Sequence, residues 1–143
     1  MTIPTALHPR LVVNNPDTAL TFYQQAMGAT AIERFTDDQD RVVHAAFTIE
    51  GAYVSLAQYV PEWGLQDPLS LNGSPCLLHL TVADPDKIAG QMVAEGGKTI
   101  IEVADRPYGK REGRVADPFG HLWILSKTIE DIDDEEIARR LKQ

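Results

Sequence analysis

Cys76 is the only cysteine in the chain. No internal disulfide can form, which points to a reducing, cytoplasmic setting. Beside Pro75 and ahead of an apolar run, its thiol reads as a small buried group rather than a nucleophile. Long hydrophobic stretches are also lacking, and none approaches the roughly 20 residues that cross a bilayer. The opening Met1-Thr2-Ile3-Pro4-Thr5-Ala6-Leu7-His8 has neither the basic start nor the apolar core of a secretory signal. No membrane partner is expected. Basic residues are few, 13 Lys and Arg against 21 Asp and Glu, for a net charge of -8. Without a cationic patch, nucleic acid is not an expected partner either. The acid excess is local: Glu130, Asp131, Asp133, Asp134, Glu135 and Glu136 supply six of the 21 acids. That tail reads as a solvated segment, its field screened by salt beyond about 8 Å. A nucleophile elbow, a P-loop and a dinucleotide fingerprint are missing as well.

What is present suits one globular domain of 143 residues, 43% hydrophobic and 24% charged. His8 to Val13 reads as a strand, and Asn15 caps a helix whose first residue is Pro16. Ala19, Phe22, Tyr23 and Ala26 form its apolar stripe, and Gly28 stops it. Ala29 to Phe35 is a strand, and Arg41 to Ile49 pairs with Ala52 to Tyr59 across Glu50-Gly51. Pro61 to Pro75 reads as a loop. Leu77 to Val82 is the next strand, and Asp84-Pro85 starts a helix ending at Gly96-Gly97. Lys98 to Val103, Arg111 to Ala116 and Leu122 to Lys127 complete the strands. Asp133 and Glu136 have capping-box spacing for a terminal helix over 133–142.

Strand, helix, three strands, then the same order again: this is a duplication, and a single shift of 69 residues expresses it. The shift carries Leu11 and Val13 to Leu80 and Val82, Asn15-Pro16-Asp17 to Asp84-Pro85-Asp86, Gly28 to Gly97 and Gly51 to Gly120. The expected fold class is α+β, with two tandem βαβββ units over about residues 7–60 and 76–127.

This architecture resembles the vicinal oxygen chelate superfamily, in its glyoxalase, bleomycin-resistance and dioxygenase branch. The residues that carry the likeness are Leu11-Val12-Val13, Phe22-Tyr23, Met27-Gly28 and Asp117-Pro118-Phe119-Gly120-His121-Leu122-Trp123, and it covers roughly residues 7–127. The tail Thr128 to Glu136 further resembles a bacterial subgroup labelled glyoxalase-like or phosphonate-associated. The resemblance implies curved mixed sheets around a cavity, helices outside and a homodimer.

Strand parity gives an independent expectation about that cavity. Leu11, Val13, Val54, Leu56, Leu78, Leu80, Val82, Trp123 and Leu125 share one face and should meet the helices. The opposite face holds His8, Arg10, Tyr53, Ser55, Ala57, Tyr59, Leu77, His79, Thr81, Leu122, Ile124 and Ser126, with His44 joining through Ala57. A mixed inner face suits a ligand cavity with a few orienting polar groups.

In the family, a divalent metal is held by one residue from the first and last strand of each unit. The resemblance puts these positions at His8, Ser55, Leu77 and Ile124, and the shift of 69 relates them in pairs. Only His8 is a good ligand, whereas a catalytic site needs about three protein ligands. Neither a metal nor another cofactor is therefore expected. His44 and His79 remain as cavity-wall residues, or as members of a three-imidazole site with His8. His121, in the turn, reads as a structural or an exposed residue. Trp63, in the long loop, either stacks on a planar ligand at the cavity mouth or covers the edge of the core, and Tyr53 and Tyr59 can orient a ligand. The implied function is metal-independent binding of a small molecule, with antibiotics and toxic compounds as the candidate class. The ligand set is His8, Arg10, His44, Tyr53, Ser55, Tyr59, Trp63, Leu77, His79 and Ile124. The competing expectation is a metal-dependent lyase or isomerase of the glyoxalase type using His8, His44 or His79.

Overall fold

The computed structural model describes residues 2–143. They form two compact units, one ending at Gly73 and the other beginning at Ser74. In the first unit, β1 (Arg10–Val13), α1 (Pro16–Met27), β2 (Thr30–Thr36), β3 (Val42–Ile49) and β4 (Ala52–Gln58) follow one another. The sheet order is β1-β4-β3-β2, with β1 parallel to β4 and the other pairs antiparallel. A 3₁₀ turn (Pro61–Trp63) and a one-turn α2 (Pro68–Leu71) come next. The second unit repeats the plan with β5 (Leu77–Thr81), α3 (Pro85–Ala94), β6 (Lys98–Asp105), β7 (Lys110–Ala116) and β8 (Leu122–Thr128), then adds α4 (Asp134–Leu141). Its sheet order is β5-β8-β7-β6, again with one parallel pair, β5 and β8.

Local chemistry explains the helix ends. Asn15 Oδ1 accepts from Thr18 N at 3.2 Å, and Asp84 Oδ1 from Lys87 N at 3.1 Å, each ahead of a proline that has no amide to leave unpaired. Gly28 closes α1 at φ +69°, a left-handed conformation that suits glycine. Tyr23 stacks on Phe47 with ring centroids 4.9 Å apart, while Leu11, Val13, Val54 and Leu56 are buried on the same side of the sheet. In the second unit Met92 of α3 is buried, as are Leu80, Val115, Trp123 and Leu125.

The Asp117–His121 connection is locked from within. The buried Asp117 carboxylate accepts from Phe119 N at 2.9 Å and His121 N at 3.0 Å through Oδ1, and from the Trp123 indole N–H at 2.9 Å through Oδ2. This one side chain fixes the turn and anchors the largest core aromatic of β8. His121 is half-buried there, in the structural role its turn position implied.

Several expectations need correction. The strand expected from His8 starts at Arg10; Pro9 has no N–H for the ladder, although its carbonyl accepts from Ser55 N at 3.1 Å. The loop after Pro61 contains α2, because Asp67 caps Pro68 at its first position. Cys76 is exposed rather than buried. The acidic tail is tied down: Arg140 pairs with Glu130 at 2.8 Å and Glu136 at 2.9 Å, and it also donates to Pro107 O at 3.3 Å. Asp133 does cap α4, accepting from Glu136 N at 2.9 Å.

The duplication also has a finer form than one constant shift. Arg10 lies opposite Ser55, and His79 opposite Ile124, so β1/β4 and β5/β8 obey the shift of 69 in register. Along the antiparallel pair, however, Ala46 faces Ser55 while Arg114 faces Ile124, and 46 and 114 differ by 68. The residues from 117 to 121 join β7 to β8 where Glu50-Gly51 joins β3 to β4, and β7 is displaced by one residue. The equivalent of Ala46 is therefore Arg114, and that of His44 is Glu112.

Candidate functional site

In the first unit, register assembles the inner face in rows. Arg10, Ser55, Ala46 and Glu33 lie side by side across β1, β4, β3 and β2. His44 pairs with Phe35 in the next row, and their rings stack at 5.7 Å. Small residues make the middle of this face: Ser55 and Ala46 are buried, as is Ala57. The Ser55 Oγ is buried without a hydrogen-bond partner among the described residues.

Around them stand larger polar groups. Glu33 Oε2 bonds His44 Nε2 at 2.9 Å and accepts from the Tyr53 hydroxyl at 3.2 Å. The hydrogen bond to His44 holds the Glu33 carboxyl below its ordinary range, with the Tyr53 bond adding to it against partial desolvation. Desolvation first, and the Glu33 bond second, push the Tyr53 hydroxyl up. His8 meets Tyr53 edge-on at 4.6 Å. His8, His44 and Tyr53 thus form one cluster, organised by Glu33.

A second assembly in this unit is a groove of about 510 Å³, to which Arg10, Arg41, Val42, Ala57, Tyr59 and Trp63 contribute. The loop that presents Trp63 is closed by reciprocal backbone bonds between Val60 and Leu65, at 2.9 and 3.1 Å. It holds the indole 77% exposed. Asp37 pairs with Arg41 at 2.9 Å, whereas Arg10 has no carboxylate at ion-pair distance among the described residues. An aromatic plate and an unpaired cation in one groove suit a planar, electron-rich or anionic molecule.

In the second unit, Leu77 is 44% exposed and His79 is exposed on β5. Ile124 instead lines a separate cavity of about 200 Å³ with Ile101, Arg106, Tyr108, Glu112 and Arg114. Here the Tyr108 hydroxyl donates to Glu112, and Ser126 Oγ donates to the other carboxylate oxygen at 2.8 Å. Desolvation, then the Glu112 bond, raise the Tyr108 hydroxyl.

The implied metal set does not fit. Leu77 and Ile124 offer no lone pair, Ser55 only a neutral hydroxyl, and the neighbour of Ile124 across the ladder is the guanidinium-bearing Arg114. No group of three His, Cys, Asp or Glu side chains among the described residues is placed to hold an ion.

Glu33, Arg41, Glu112 and Arg114 were not among the expected site residues. The bulge between Thr30 and Glu33, where Ala31 takes φ +52°, hides the β2 register from a simple alternation. Glu112 and Arg114 are hidden by the one-residue displacement of β7. Counting back from the Asp117 turn would have placed Glu112 opposite Ser126.

The family model described as Glyoxalase/Bleomycin resistance protein/Dioxygenase superfamily matches residues 5–125. Uncharacterized protein Mb0911c of Mycobacterium bovis is 35% identical over 138 residues, covering 94% of this chain and 91% of its own length. Among solved structures, TioX from Micromonospora sp. ML1 has a TM-score of 0.65 at 19% identity, over 87% of this chain and 99% of that one. FosX of Listeria monocytogenes, a genomically encoded fosfomycin resistance protein, has a TM-score of 0.60 at 15% identity, over 94% and 98%. These two likenesses concern the fold. No helix among the described residues is long and apolar enough to cross a membrane.

Proposed function

The chain belongs to the glyoxalase/bleomycin resistance protein/dioxygenase superfamily, and from that premise we propose that it binds a small organic molecule without using a metal. The observation that carries this reading is the first-unit groove, where Arg10, Tyr59 and Trp63 converge around about 510 Å³. That volume lies within the roughly 300–1,000 Å³ of small-molecule sites. The incomplete donor set at His8, Ser55, Leu77 and Ile124 supports binding rather than metal chemistry. A fosfomycin resistance protein on the same fold makes antibiotics and toxic compounds the first candidates. Within this reading the protein is a cytoplasmic homodimer of the phosphonate-associated subgroup.

The two tryptophans provide the assay. Trp63 is 77% exposed and Trp123 only 2%, so ligand quenching of tryptophan fluorescence reports mainly on the groove. Titration with bleomycin, mitomycin and fosfomycin should give saturable quenching for a ligand that the protein leaves chemically unchanged. Trp63→Ala should abolish that signal, and Arg10→Gln should weaken it. Turnover of a bound compound would replace the reading with its competitor, a glyoxalase-type lyase or isomerase. One observation favours that competitor: Glu33 orients His44 as a carboxylate orients a catalytic imidazole.

A further inference from the structure

We propose that the second-unit cavity is a separate site for a small organic monoanion, a carboxylate with a short apolar body. Of the four positions implied for a family cation only Ile124 lines it, and the neighbour of Ile124 across the ladder is the cationic Arg114. The sequence has eight arginines. Arg34, Arg41, Arg111, Arg139 and Arg140 each pair with a carboxylate. Of the other three, Arg106 and Arg114 both line this cavity. In a chain of net charge -8, two guanidinium groups without carboxylate partners among the described residues, in one small cavity, mark a place built for an incoming negative charge.

The local bonding leaves that role open. Arg106 donates to the backbone carbonyls of Glu112, at 3.2 Å, and Glu102, neither of which neutralises it. The Nε of Arg114 is buried with no hydrogen-bond partner among the described residues. A buried unpaired donor is costly, and a ligand oxygen that accepts from it recovers that cost. Glu112 lines the same cavity and accepts from Tyr108 and Ser126, but among the described residues it stands at ion-pair distance from neither arginine. Both arginines lie close enough to Tyr108 to pull its titration downward, against the effect of burial.

Counting charge selects the ligand. Arg106, Arg114 and Glu112 leave the cavity with one positive charge in excess, which a monoanion balances and a dianion overshoots. Ile101 and Ile124 supply the apolar wall, and about 200 Å³ admits a head group with a few carbons. A planar carboxylate suits the guanidinium fork. A divalent metal would meet two like charges.

The test is isothermal titration of the full chain with benzoate and with benzamide, its neutral isostere, at low ionic strength. Benzoate is expected to bind at least about tenfold more tightly than benzamide, since bonds to charged groups are about twice as strong as neutral ones. Arg114→Gln and Arg106→Gln should each weaken benzoate by about tenfold or more. Glu112→Gln retains an acceptor for Tyr108 and raises the local positive charge, so it should tighten benzoate severalfold; it also keeps the proposal testable if an arginine variant fails to fold. Equal affinity for benzoate and benzamide would overturn the assignment, as would wild-type affinity in Arg114→Gln or weaker binding in Glu112→Gln. Loss of benzoate binding on Trp63→Ala, with Arg114→Gln unaffected, would move the anion to the first-unit groove and equally reject this site.

Discussion

Replacing Asp117 by alanine should be among the most destabilising single changes in the second unit. The carboxylate accepts from two backbone amides and one indole N–H at 2.9 to 3.0 Å. Phe119 is 5% exposed and Trp123 2%, whereas His121 is half-buried. Water therefore reaches the His121 amide more readily than the bonds at Phe119 and Trp123. A hydrogen bond to a charged group contributes about 1.5–3 kcal/mol, so losing the two buried ones costs about 3–6 kcal/mol. Against a typical stability of about 5–15 kcal/mol, that is a large fraction. Asp117→Asn separates the contributions. Its Oδ1 still accepts from both backbone amides, but its amide nitrogen faces the Trp123 N–H donor to donor, for a loss of about half as much. Urea unfolding followed by tryptophan fluorescence measures both variants, provided the denaturant slope stays at the wild-type value. A loss below about 1 kcal/mol for Asp117→Ala would refute the clamp. So would Asp117→Asn costing as much as alanine.

The helix caps should behave as equivalents. Asn15→Ala and Asp84→Ala should each cost about 1 kcal/mol in thermal or urea unfolding, and a negligible effect at both would contradict their capping role. Ser55→Ala should be neutral or stabilising by up to about 1 kcal/mol, because the buried hydroxyl has no partner to lose; a clear destabilisation in the same melts would reveal a bond to that oxygen. The tail should respond to acid. Arg139, then Arg140, lower Glu136 to about 2, and Arg140 lowers Glu130. Depressed carboxylates stabilise above their unfolded values and lose that contribution as pH falls through the folded ones. Amide exchange in α4 should therefore stay slow at neutral pH and accelerate from about pH 4.5 down to about 2, earlier at high salt. Exchange independent of pH across that window, after correction for intrinsic rates, would argue against the pinned tail.

The elements were legible in the sequence where a single residue type enforces a backbone state. Asn15-Pro16 and Asp84-Pro85 start helices, Gly28 ends one, and Glu50-Gly51 turns a hairpin, because few other sequences satisfy those ends. Parity placed Ser55 and Tyr53 on the face of His44, and the Tyr53–Glu33–His44 bonds agree. What escaped depends on pairing between distant segments. Glu33 lies beyond a bulge, and a bulge changes the count between strand position and face. Arg114 lies outside the reach of one constant shift, because β7 follows a shift of 68 rather than 69. Cys76 was misjudged from its neighbour Leu77, which is itself 44% exposed. Apolar sequence context does not establish burial at the outer position of a unit's first strand.

The parallel pairing of β1 with β4 carries a consequence for the order in which the chain folds. β3 and β4 meet across a two-residue turn, so their ladder can form within microseconds. β1 has no partner of its own until Ser55 exists to face Arg10, some 45 residues later. The closing entropy of that span falls on a late docking step, after α1 has formed and the hairpin offers a finished edge. The second unit repeats the sequence of events, with His79 waiting for Ile124. During synthesis the first sheet has all its strands once Gln58 has emerged, before any residue of β5 is available to compete for the same edge. A duplicated sheet is exposed to cross-pairing between its copies, and completing each unit from contiguous chain limits that risk by timing alone.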